Sequence, residues 1–122
     1  MLKNDPKNVN ALNALGYTLT DRTTRYQEAL DLLQQAITLK PDDAYIMDSM
    51  GWLQFRLGNN AEAIKYLRRA LESRQDAEIA AHLGEVLWVS GNHIEAESVW
   101  SRALRDTPDN EALTGVIKKF KP

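Results

Sequence analysis

The sequence contains no cysteine, only 6 glycines and 4 prolines, and no long apolar run. Without cysteine, disulfides, zinc–thiolate sites and thiol nucleophiles are excluded, although the cellular compartment is left open. No apolar stretch is long enough to cross a bilayer, so we expect no direct membrane insertion by this segment.

An excess of charge of one sign is also missing. Charged residues make up 26% of the chain, and the formal net charge is -2. Because nucleic-acid binding depends on an excess of Lys and Arg that neutralises phosphates, we expect no nucleic-acid partner. Hydrophobic residues make up 43%, which is typical of a soluble globular chain.

Arrangements of residues that could carry out catalysis or bind metal are scarce. The 2 histidines, His82 and His93, lack the partner at i, i+4 that a helical metal site requires. Nucleophile-elbow, phosphate-loop and dinucleotide motifs are absent. The sequence therefore predicts neither an enzyme nor a metal or cofactor site, and His82 is interpreted as a packed or half-exposed helical residue.

Small residues recur with a period close to 34 residues. A glycine follows a large apolar residue at Gly16, Gly51 and Gly84, at spacings of 35 and 33 residues. An alanine recurs in step with these glycines, in a set that comprises Ala29, Ala63 and Ala96. A regular period of this length indicates stacked helical hairpins, since one hairpin cannot bury its own apolar face.

The pattern resembles the tetratricopeptide repeat, whose signature is W-x2-L-G-x2-Y, then A-x3-F, then P. The match covers roughly residues 9 to 110 in three tandem copies, with Pro41 and Pro108 at the proline position. The tryptophan position instead holds Leu12, Met47 and Ala80. The resemblance implies an all-α fold, an α-solenoid of three tetratricopeptide-like helix pairs plus a C-terminal capping helix.

Periodicity and turn residues predict seven helices, at about 8–20, 26–39, 43–57, 60–73, 77–89, 92–105 and 110–119. We expect a single domain over 1–122, with repeats at about 9–43, 44–76 and 77–110 and the capping helix at about 110–120. Residues 1–8 look like the remnant of a preceding repeat, because Pro6 precedes Pro41 by 35 residues. The chain is also similar to the C-terminal parts of longer bacterial multi-repeat proteins, some of them envelope lipoproteins, so its localisation stays open between the periplasm or outer membrane and the cytoplasm.

In the tetratricopeptide family the first helix of each pair lines a concave groove that binds peptides or partner helices. Carried over by position, that lining is Asn10, Asn13, Tyr17, Thr20, Asp21, Tyr45, Asp48, Trp52, Phe55, Arg56, Glu78, Ala81, Glu85, Trp88 and Val89.

The second unit is the most informative part of this lining. Tyr45, Asp48, Trp52, Phe55 and Arg56 follow helical spacing and share one face. An exposed strip of Tyr, Trp and Arg has the composition of a binding hot spot, so Trp52→Ala is predicted to cost about 2 kcal/mol of binding with helicity intact. The alternative places Phe55 in the core, and the same alternative holds for Trp88.

The sequence thus predicts a scaffold or adaptor without catalytic activity, which binds a protein or peptide with apolar anchors and some basic character. The second hypothesis is a structural segment that self-assembles. An uncapped first helix pair exposes apolar surface, so the homo-oligomer would form through the truncated N-terminal face.

Overall fold

The computed structural model describes residues 8–121, and over that range it consists of seven α-helices. The helices are α1 (Val9–Arg22), α2 (Tyr26–Leu39), α3 (Ala44–Arg56), α4 (Asn60–Ser73), α5 (Ala77–Val89), α6 (His93–Asp106) and α7 (Glu111–Phe120). The predicted all-α class is confirmed, and every predicted helix end lies within two residues of the observed one. The predicted remnant of a preceding repeat falls almost entirely on residues 1–7, which lie outside the described residues.

Capping side chains fix where the first helix of each pair begins. The Asp43 carboxylate accepts hydrogen bonds from the amides of Tyr45 and Ile46, and Asp76 does the same at the start of α5. Asn8 and Asn110 cap α1 and α7 in the same way. Such caps satisfy amides that have no partner within the helix, which explains the sharp starts.

Two glycines end the first helices of pairs two and three. Gly58 and Gly91 have φ of +88° and +91°, and the amide two residues past each helix bonds back to a carbonyl of its last turn. This arrangement needs the left-handed region that glycine adopts without strain. The first pair has no glycine at this turn, and α1 continues to Arg22, two residues beyond its predicted end.

Close contact between the helices of each pair depends on the recurring glycines. A Cβ at Gly51 would lie 2.8 Å from Leu67 Cγ and 3.2 Å from the Ala63 carbonyl oxygen. A Cβ at Gly84 would overlap the indole of Trp100. The predicted close approach of Gly51 and Ala63 is therefore confirmed, and the third pair uses the same space for a larger side chain.

The helices form two layers. Helices α1, α3, α5 and α7 contact one another in series and form the inner layer, whereas α2 and α4 each pack against their own partner and the next inner helix. Helix α7 packs on α5 through buried Leu113 and Val116 and turns polar residues outward. The surface of the inner helices turned away from the outer layer is called the inner face below.

Candidate protein-binding face

A hydrogen-bonded cluster on the inner face joins three helices. His82 of α5 lies with Nδ1 2.8 Å from Asp48 Oδ1 of α3, and its Nε2 lies 3.2 Å from the Tyr17 hydroxyl of α1. The side chains of His82 and Asp48 are only 16% and 11% exposed. One imidazole therefore connects α1, α3 and α5 and fixes the position of Tyr17.

Trp52 packs against this cluster and supplies apolar contact surface. Its ring stacks on His82 with centroids 4.3 Å apart and lies 5.1 Å from the ring of Phe55. Its Nε1–H donates to Asp21 Oδ1 at 3.3 Å. A buried indole N–H usually finds an acceptor, and Asp21 provides one for Trp52 while it remains on the surface itself.

Burial and the acidic surroundings together shift the pKa values of both titratable rings. Burial by itself lowers the pKa of His82, but the hydrogen bond and charge of Asp48, aided by Glu85 and Asp21, outweigh burial and raise that pKa above its ordinary value. Burial also raises the pKa of Tyr17, and the charges of Asp21 and Asp48 add to the effect. The cluster therefore favours a protonated imidazole and a neutral phenol.

The exposure predicted for the strip in the second unit is wrong at two positions. Trp52 is 6% exposed and Asp48 is 7% exposed. Tyr17 and His82 reach these side chains from the two neighbouring inner helices and bury them. A partner on the inner face would contact Tyr17 and His82, and Trp52→Ala would remove core packing instead of an exposed anchor.

Two further predicted lining residues are also buried. Thr20 is fully buried, and its hydroxyl donates to the Gly16 carbonyl at 2.9 Å. Ala81 is 4% exposed and belongs to the apolar core. Each lies on the side of its helix that meets neighbouring helices, so neither offers a surface to a partner.

Three predicted residues remain at the edges of this face. Tyr45 is 43% exposed, and its hydroxyl donates to Asp76 at 3.2 Å. Arg56 is exposed, and its Nε donates to the Tyr26 hydroxyl at 3.3 Å. Asn13 is half-buried, and its Oδ1 has no hydrogen-bond partner among residues 8–121.

The C-terminal end of the inner face combines an ion pair with aromatic rings. Glu85 pairs with Lys119 of α7 at 3.3 Å, and the Glu85 side chain is 16% exposed. Trp88 is half-buried and stacks on His93 with centroids 3.9 Å apart. It also lies 6.1 Å from the Phe120 ring, so the structure places Trp88 partly in the core and partly at the surface.

His82 is the inner-face residue that sequence reasoning missed. It lies four residues after Glu78 and three before Glu85, both of which belong to the predicted lining. Helical spacing therefore already put His82 on the same face. What the sequence did not show was that Asp48 and Tyr17 come close enough to bind both ring nitrogens.

The first helix pair exposes an apolar residue whose equivalents in the second and third pairs are buried. Leu15 is 40% exposed, whereas Met50 and Leu83 at the equivalent positions are 1% and 2% exposed. Met50 packs in one cluster with Ala29 and Leu33 of the preceding outer helix. Leu15 lies beside Leu19 and Leu32 along a cavity of about 340 Å³.

Comparison with known proteins agrees with this architecture. The sequence profile described as tetratricopeptide repeat matches residues 1–44 and 49–111. The chain belongs to the tetratricopeptide repeat family. It is 56% identical over 85 residues to TPR repeat-containing protein PA4667 of Pseudomonas aeruginosa, which covers 70% of this chain and 14% of that protein. The chain thus spans only a small part of that relative.

Solved structures share the fold. The thermophilic TPR protein TTC0263 of Thermus thermophilus superposes with a TM-score of 0.80 over 93% of this chain and 63% of that one, at 23% identity. The crystal structure of MamA gives a TM-score of 0.74 over 97% of this chain and 71% of that one, at 24% identity. Membership of the tetratricopeptide repeat family makes a helical-repeat scaffold suited to protein–protein interaction the general class of this chain.

Among residues 8–121, no helix is long and apolar enough to cross a membrane. Over the same described range, no group of three or more His, Asp or Glu side chains is arranged to hold a metal ion.

Proposed function

We propose that this chain is a protein-binding segment of a longer tetratricopeptide repeat protein and that its inner face binds a peptide or helix of the partner. The observation that carries the proposal is the Tyr17–His82–Asp48 cluster, which holds two partly accessible rings in fixed positions across three helices. Side chains that are ordered before binding lose little conformational entropy when a partner arrives, so they favour affinity.

Charge and apolar contacts define the class of partner. Asp21 and Glu78 are exposed on this face, and Glu85 of the same face pairs with Lys119 of α7. Trp88 and Val89 supply apolar surface near its C-terminal end, with Val89 51% exposed. A segment with apolar anchors and basic flanking residues complements this face.

The test uses peptides selected from a random displayed library against the wild-type chain, with affinity then measured by calorimetry. Glu78→Lys reverses an exposed charge on the inner face, and we expect about a tenfold loss, which is about 1.4 kcal/mol. Glu62→Lys makes the same charge change on outer helix α4, where Glu62 is exposed, and serves as the matched control. An equal loss with both variants would contradict binding at the inner face.

The second candidate function is self-association, and the exposure of Leu15 favours it. A second copy could cover the leucines of α1 and α2 that an outer helix covers in the later pairs. Sedimentation equilibrium over a concentration series should show a dimer that Leu15→Glu abolishes, whereas Leu57→Glu at the α3–α4 turn retains it. A wild-type chain that stays monomeric throughout the series rules this candidate out.

A further inference from the structure

The outer layer carries a cleft that the inner-face proposal does not use. It lies between α4 and α6, with α5 as its floor, and has a volume of about 300 Å³. Within the described residues the backbones of α4 and α6 do not come into contact, and an Arg68–Glu95 ion pair at 2.7 Å bridges them. The apolar lining of the cleft includes Leu71 of α4, Ala80 of α5 and Val99 of α6.

The equivalent junction one repeat earlier is filled by the chain itself. Tyr66 of α4 occupies the position that Val99 occupies in α6, and Met47 of α3 occupies the position of Ala80 in α5. Tyr66 packs against the apolar cluster that contains Met47 and Ala70. Two large side chains in one junction are thus replaced by two small ones in the next, which accounts for the empty volume.

We propose that the α4–α6 cleft is a second binding surface that accepts a phenylalanine or tyrosine side chain from a partner segment with basic residues on both sides. An aromatic ring suits the volume, because the chain places the ring of Tyr66 at the same position of the previous junction. Aromatic anchors that fill a pocket contribute a large share of binding energy in protein interfaces.

The charges around the cleft define the residues next to the ring. Two arginines and four carboxylates line it, namely Arg68, Arg102, Glu72, Asp76, Glu95 and Asp106. Arg68 is already paired with Glu95. The carboxylates that remain on the rim outnumber the one remaining arginine, so the rim is acidic. Lys or Arg beside the aromatic residue therefore complements the rim, and acidic residues there are repelled.

The test is an NMR titration with three short probes: acetyl-Arg-Phe-Arg-amide, acetyl-Arg-Ala-Arg-amide and acetyl-Glu-Phe-Glu-amide. The first probe should shift the amides of Leu71, Val99 and Ala103, and the other two should bind at least tenfold more weakly. Val99→Tyr restores the side chain of the previous junction and should weaken the first probe at least tenfold. Binding that survives Val99→Tyr, or equal binding of all three probes, overturns the proposal.

A second variant is needed in case the tyrosine of Val99→Tyr does not fit into the cleft and disturbs the fold. Glu72→Lys combined with Asp106→Lys reverses two exposed rim charges without entering the cleft. It should weaken the Arg-Phe-Arg probe at least tenfold and strengthen the Glu-Phe-Glu probe. Asp21→Asn on the inner face should leave both affinities unchanged, and shifts that respond to Asp21→Asn instead would place the probe on the inner face and overturn the proposal.

Discussion

Asp48 and His82 lie 34 residues apart in sequence and 2.8 Å apart in space, at the centre of the inner face. Tyr17 completes the cluster through the other imidazole nitrogen, and Trp52 stacks against the ring. Neither member of this pair is independent of the other, because a largely buried carboxylate and imidazole each need the partner to offset lost hydration. The pair is therefore a structural link between α3 and α5 as well as a part of the proposed binding face.

The first prediction concerns the dependence of stability on pH. Because the pKa of His82 is raised in the folded state, its contribution is fully present below the unfolded value of about 6.5 and is lost as pH rises through the folded pKa. The free energy of unfolding, measured by urea denaturation, should therefore fall as pH rises through this window. His82→Gln should remove that dependence, whereas His93→Gln at an exposed position should keep it. A slope that is the same in all three proteins would contradict the assignment.

The second prediction concerns the contribution of the buried Trp52 ring to the stability of the fold. The ring is buried against His82 and Phe55, so Trp52→Ala should lower the free energy of unfolding by about 3–5 kcal/mol. Tyr45→Ala, at a 43% exposed position, should cost under about 1 kcal/mol. Thermal and urea unfolding followed by circular dichroism measure both. If Trp52→Ala proved no more destabilising than Tyr45→Ala, the burial of the indole would be wrong.

The third prediction concerns helix contact at Gly84. A Cβ there would overlap the indole of Trp100, which is 2% exposed. Gly84→Ala should therefore destabilise the chain by about 1–3 kcal/mol, in spite of the better helix propensity of alanine.

Gly115 in α7 provides the matched control for this substitution. A Cβ at Gly115 would meet nothing within 4 Å, so Gly115→Ala should stabilise the chain by about 0.5–1 kcal/mol. Differential scanning calorimetry should show melting temperatures that move in opposite directions for the two variants. A shift in the same direction would mean that helix propensity, not contact with Trp100, governs position 84.

Helix positions and pairing were predictable because they depend on local signals. The period of Gly16, Gly51 and Gly84 sets the register of the pairs, and Gly58 and Gly91 mark where two inner helices end. The glycines at the helix ends act through backbone conformation. The recurring glycines act through contact between two helices that follow one another in sequence. The exposure of a given side chain on the inner face has no such local signal, as Trp52 and Tyr45 share one helix face yet differ in burial.

The sequence by itself determined that this protein is a stack of helical hairpins, since only small residues in phase allow successive helices to meet so closely. The tertiary structure alone decided which side chains of the inner layer a partner can reach. Tyr17 and His82 cover Trp52 and Asp48 from helices that are distant in sequence, and the α4–α6 cleft stays open because Val99 stands where the previous junction has a tyrosine. The burial of Trp52 and Asp48 and the open cleft both depend on the sizes of side chains that come into contact only after the hairpins have stacked.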